Sequence, residues 1–132
     1  IIDNIQTKGI NDIIPLLVNR WFTNNFIKNN PKIINQRVSQ IKKTPIKTFI
    51  NVFKIYALTE MGPLLKEISL PSLIITGEND IGCNPKINKK IAHSLKNSKL
   101  VILPGAKHAI TLEFPELVTK NIIKFINNIN KI

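Results

Sequence analysis

Cysteine occurs once in the 132 residues, at Cys83, so the chain can close no internal disulfide and build no multi-cysteine metal site. A lone thiol fits a reducing compartment, the cytoplasm. Acidic residues are also scarce: 8 Asp and Glu stand against 19 Lys and Arg, for a formal net charge of +11. That balance raises the question of nucleic acid. The excess divides almost evenly between residues 1–60 and 61–132, however, and forms no dense basic run, whereas a phosphate-tracking surface needs clustered cations. Ile, Asn and Lys alone supply 60 residues, a drift in composition that makes part of the charge incidental. No nucleic-acid partner is expected. Long apolar runs are missing too, because charged or amide residues interrupt each one well short of the ~20 residues that span a membrane. Residues 1–8 lack the basic start, apolar centre and small-residue cleavage site of a secretory signal. There is no initiating methionine: the chain opens on Ile1 inside an already patterned region and is expected to be a fragment. Its length accommodates one domain, or part of one.

What is present changes character near residue 62. Before it the pattern is helical. Ile10, Ile13, Ile14, Leu17 and Trp21 recur at helical spacing, and Asn30-Pro31 reads as a side-chain cap followed by a proline at the first helical position, leading into Ile34, Val38 and Ile41. Thr44-Pro45 reads as the same device, opening a helix with Ile46, Phe49, Ile50, Phe53 and Ala57 on one face. Gly62-Pro63 breaks that pattern before a short turn of helix through Leu65. Beyond Pro71 strands alternate with helices. The short apolar run Ser72 to Thr76 predicts a strand buried on both faces, Asn84-Pro85 opens a helix, "KLVILPG" at 99–105 predicts a second buried strand, and Pro115-Glu116 starts a last helix. The order strand, helix, strand, helix predicts two parallel strands joined by a crossover. Two strands alone leave edges and apolar faces uncovered, so further strands are expected N-terminal to Ile1.

In open α/β sheets, sites form outside the carboxyl ends of the strands. Both strand exits here carry a titratable residue: Asp80 four residues after Thr76, and His108 within "PGAKHAITLEFPE". Loops from adjacent parallel strands bring such residues together despite 28 positions of separation. A carboxylate that accepts the Nδ1 proton of an imidazole fixes its tautomer, frees Nε2 as a base and stabilises the imidazolium. These are the acid and base of a triad whose nucleophile is missing. No G-x-S-x-G occurs, and none of Ser39, Ser69, Ser72, Ser94 or Ser98 lies in a glycine-flanked strand-to-helix turn. Cys83 lies three residues past the acid, where the imidazole has no reason to activate it. His93, mid-helix, reads as a surface residue, and Glu113 and Glu116 favour the start of the last helix through its dipole. Trp21 continues an apolar helix face, so it packs or roofs a pocket; Ile110, two residues past the imidazole, packs or lines one.

From "LLKEISLPSLIITGEND" to "TKNIIKFI", residues 64–126, the chain resembles the C-terminal part of the α/β-hydrolase superfamily, with an acid after G-x-x-D and a histidine before E-x-P-E. The stretch "GINDIIPLLVNRWFTNNF" and the Thr-Pro helix start resemble the helical cap of 3-oxoadipate enol-lactonases and their relatives. This resemblance implies an all-helical cap over residues 1–62, followed over 63–132 by the last two parallel strands and helices of the α/β core. It implies a hydrolase of carboxylic esters or lactones acting on a small molecule, with Asp80 and His108 as catalytic residues, Trp21 and Ile110 as substrate-binding ones, and no metal or cofactor. The serine and oxyanion-hole amides would lie upstream, leaving these 132 residues inert by themselves. The same downstream half also suits an upstream Asp nucleophile, as in dehalogenases and epoxide hydrolases, or a non-catalytic binding relative. One departure is Lys107, where many members carry a small residue; a long cation there either crowds the base, disfavours its protonation or points to solvent.

Overall fold

The computed structural model describes residue 5 and residues 9–129. It divides into two compact units, Ile1–Glu60 and Met61–Ile132. The first is helical: α1 (Ile10–Trp21), α2 (Asn24–Asn29), α3 (Pro31–Lys43) and α4 (Ile46–Leu58). Ile5, Ile13 and Leu17 form its buried centre, with Ile10, Trp21, Phe49, Ile50 and Phe53 packed around them. The spacing of these residues on α1 and α4 is the predicted one. Burying a Leu or Ile side chain contributes about 1.5–3 kcal/mol, so three such residues and their neighbours anchor the bundle. Helix α2 was not visible in the periodicity, since six residues show less than two turns. Its start is set by Thr23, whose Oγ1 accepts the Phe26 N–H at 3.2 Å.

Two of the predicted caps work differently. Asn30 precedes α3, yet its Nδ2 donates backwards to the Phe26 carbonyl at 3.2 Å and makes no cap bond to α3. Thr44 likewise turns its Oγ1–H back to the Gln40 carbonyl at 3.0 Å, while Pro45 takes the N-cap position of α4. In both places the helices join with at most two residues between them, and at the first of these Asn30 both ends one helix and begins the next. Unfilled carbonyls at the end of the earlier helix attract the side-chain donor.

The second unit begins with a 3-10 turn, Gly62–Glu67, followed by β1 (Ser72–Gly77), α5 (Pro85–Ser94), β2 (Ser98–Leu103), α6 (Ile110–Glu113) and α7 (Pro115–Ile129). The strands pair in parallel, from Ser72 beside Ser98 to Gly77 beside Leu103, so both end at the same level. Asn84 caps α5 as predicted, its Oδ1 accepting the Ile87 N–H at 3.0 Å. Leu103, Ala106 and Val118 are buried together, and Ile75, Val101, Ile110 and Phe114 pack against them. The expectation of strands buried on both faces is not met within the described residues: Ser72–Ile75 and Ser98–Ile102 are only half-buried. A two-stranded sheet gives each strand a single neighbour, and the carboxyl ends, where α7 and the loops cover them, are the parts that close. Among the described residues no helix is long and apolar enough to cross a membrane.

Candidate functional site

The level ends of β1 and β2 place two loops side by side, and backbone hydrogen bonds stitch these loops together. The N–H of Glu78 donates to the Leu103 carbonyl at 2.9 Å, and that of Asn79 to the Ala106 carbonyl at 2.8 Å. Glu78 Oε2 accepts the N–H of Gly105 at 2.8 Å, where the second loop turns with φ 68, a value that glycine adopts without strain. The first loop is thus held by the second before either contributes a functional group.

Gly77 is the point of closest approach. A Cβ at this position would stand 2.5 Å from the carbonyl oxygen of Ala106 and closer still to that of Lys107. Its φ is not positive, so glycine is needed here for room and not for a special turn, in contrast to Gly105. The backbone leading to His108 lies directly on the end of β1 because Gly77 has no side chain.

Asp80 and His108 meet as a result, with His108 Nδ1 2.7 Å from Asp80 Oδ2. A carboxylate only accepts, so the proton of this bond sits on Nδ1, and the neutral form of the imidazole has Nε2 as its free acceptor. The other carboxylate oxygen, Oδ1, accepts the N–H groups of Gly82 at 2.9 Å and Cys83 at 3.0 Å. Asp80 therefore both closes a turn and orients the imidazole, one oxygen for each task. Its side chain is 5% exposed and that of His108 is 47% exposed: the pair is buried on its acid side and open on its basic side. This is the arrangement a general base needs.

The turn after Asp80 is fixed from behind. The Cys83 carbonyl accepts Thr76 Oγ1–H at 2.7 Å and Asn88 Nδ2 at 2.6 Å, and both of those residues are buried. Asn88 also donates to the Asn84 carbonyl at 3.1 Å. Neither residue stood out in the sequence; a polar residue on the inner side of α5, at Asn88, was the available signal. Cys83 is also nearer than expected, because the turn closed by Asp80 curls it back: donor atoms of Asp80, Cys83 and His108 all lie within 4.8 Å of one another.

The remaining sequence candidates are placed as follows. Ile110 starts α6 and packs on the Leu103, Ala106 and Val118 cluster. Trp21 ends α1 in the helical unit, packing on the Ile5, Ile13 and Leu17 cluster with the Arg37 guanidinium 5.5 Å from its ring centre. His93 is exposed on α5.

No protein-family model matches the chain. Among curated proteins it is similar to 3-oxoadipate enol-lactonase 2 of Acinetobacter baylyi, 24% identical over 112 residues that make up 85% of this chain and 42% of the relative. It is also similar to the bifunctional esterase/perhydrolase DCH of Acinetobacter calcoaceticus, 34% identical over 74 residues, 55% of this chain and 27% of that protein. Among solved structures, the enol-lactonase from Burkholderia xenovorans LB400 superposes with a TM-score of 0.88 at 20% identity, over 96% of this chain and 48% of that one. The chain thus spans about half the length of the proteins it matches, or less, and its helices and two-stranded parallel sheet have the fold of the C-terminal portion of an α/β-hydrolase.

Proposed function

We propose that these residues are the cap and the C-terminal catalytic half of a serine-type α/β-hydrolase that cleaves carboxylic esters or lactones. The observation that carries this reading is the 2.7 Å bond between His108 Nδ1 and Asp80 Oδ2 at the level carboxyl ends of two parallel strands. Residues 1–62 are assigned to the cap and residues 63–132 to the core. The nucleophilic serine and the main-chain amides of the oxyanion hole come from outside the 132 residues, and the chain by itself is inert.

In the mechanism, His108 Nε2 takes the serine proton as the serine attacks the substrate carbonyl. Asp80 holds the ring and stabilises the imidazolium. The upstream amides hold the oxyanion, the alcohol leaves with the proton from His108, and water deprotonated by His108 then releases the acyl group. No step in this sequence uses a metal or an organic cofactor. Trp21 and Ile110, each within its own unit, are the apolar residues assigned to substrate binding.

The test is turnover by the full-length gene product of a panel containing aryl esters and enol-lactones. Hydrolysis of at least one of these classes, at a rate that chelator does not lower, is expected. Cleavage of haloalkanes or epoxides with no turnover of any ester or lactone would overturn the reading in favour of an upstream Asp nucleophile.

A further inference from the structure

Cys83 has no part in the proposed hydrolysis, yet its sulfur, an oxygen of Asp80 and a ring nitrogen of His108 all lie within 4.8 Å of one another. This proximity is built. The N–H of Cys83 is held by Asp80 Oδ1 at 3.0 Å, and its carbonyl by Thr76 Oγ1 at 2.7 Å and Asn88 Nδ2 at 2.6 Å, so the peptide groups on both sides of the thiol are fixed. Asp80 Oδ1 is committed to that turn. Among the described residues, Oδ2 is held by the His108 proton.

We propose that Asp80 Oδ2, Cys83 Sγ and His108 form a site for a thiophilic divalent cation, of which Zn²⁺ and Cd²⁺ are the type. One oxygen, one sulfur and one nitrogen donor suit these ions, whereas Mg²⁺ and Ca²⁺ prefer oxygen alone. Three protein ligands with water in the fourth position is a common zinc arrangement. Bonds of about 2.0–2.3 Å require each pair of donors to stand roughly 3.2–3.8 Å apart around a tetrahedral ion. The Asp80–His108 pair opens slightly to reach this, and the others close by rotation of the Cys83 side chain and the half-exposed imidazole. The cation takes the place of the proton between Oδ2 and Nδ1, and the proton of the thiol passes to solvent.

A filled site removes the acid and the base of the proposed triad together. This consequence rests on the hydrolase reading; metal binding does not. The two are separated by titrating the metal-stripped full-length protein with Cd²⁺ and recording both the ultraviolet sulfur-to-cadmium charge-transfer band and hydrolysis relative to each protein's own metal-free rate. One equivalent of Cd²⁺ per site is expected to generate the band in the wild type. Cys83→Ser and Cys83→Ala should lack it, and each should need at least about 10-fold more Cd²⁺ for half-maximal binding or inhibition. The two variants guard against one of them failing to fold. A wild type without the band, or a band and affinity the same in both variants, would overturn the site. If no form hydrolyses any ester, the hydrolase reading fails, while the charge-transfer titration still decides whether the cation binds.

Discussion

In the full-length gene product, His108→Ala is expected to lower kcat for ester or lactone hydrolysis by about four to six orders of magnitude, with KM little changed and the fold retained. The imidazole is the group proposed to move a proton to and from the reacting oxygen. Its removal leaves Oδ2 of Asp80, a side chain only 5% exposed, without its partner, so the unfolding free energy should fall by about 1–3 kcal/mol while the turn closed by Oδ1 is kept. Asp80→Asn should cost about 10⁴-fold, since an amide in place of Oδ2 can donate to Nδ1 and so favour the wrong tautomer. Asp80 also closes the turn through Oδ1, so this second variant should be somewhat less stable as well. The informative combination is the double variant. Because the two residues act as one unit, adding Asp80→Asn to His108→Ala should lower the rate no further. Multiplying losses would mean that the carboxylate contributes independently of the imidazole, contrary to the 2.7 Å bond. Steady-state kinetics on the three variants, with denaturant unfolding alongside, checks each of these outcomes.

Gly77→Ala should be the most damaging small substitution in the core unit. The new methyl group would meet the Ala106 carbonyl oxygen at 2.5 Å and the Lys107 carbonyl oxygen closer still, both of them backbone atoms in a loop that hydrogen bonds tie to Glu78 and Asn79, just past β1. Flexible side chains yield to a methyl group at little cost; a stitched backbone does not. A loss of about 3 kcal/mol in unfolding free energy is expected, at the upper end for overpacking. Where the protein still folds, the loop carrying His108 must lift from the strand end, separating Nδ1 from Oδ2, and hydrolysis should fall with it. Denaturant midpoints and the rate measured together test this. A variant with wild-type stability and wild-type turnover would show that the close packing of the two loops is not required.

The parts of this fold that were legible in the sequence are those where a pattern repeats often enough to be read. Helices α1, α3, α4, α5 and α7 each run ten residues or more and display an apolar face, and both strands are bounded by proline or glycine. Short α2 and α6 show no such repetition. Asn30 and Thr44 were read as caps of the following helix because sequence shows the order of residues but not which of two adjoining helix ends a side chain will serve. Asp80 and His108 could be paired because parallel strands with level ends put their exits together, a rule that needs only the strand assignment. Gly77 carries no sign of its role in the residues around it. Its actual role depends on a backbone segment nearly thirty residues away lying against it, which no local pattern reveals. Cys83 was set aside for a similar reason: the hydrogen bonds to Asp80 Oδ1 bend the chain through the one turn that returns the sulfur to the carboxylate. The half-buried strands mark a limit of another kind, since burial on both faces depends on what lies beside a strand as much as on its own residues.

The central claim is that Asp80 and His108 serve a serine outside these residues, and a serine-directed phosphonate tests it most directly. The full-length protein should take up one phosphonate per chain, at a serine that peptide mapping places outside residues 1–132, and His108→Ala should suppress this labelling. Absence of labelling in folded protein, labelling undiminished by His108→Ala, or a label on Ser39, Ser69, Ser72, Ser94 or Ser98 would contradict it.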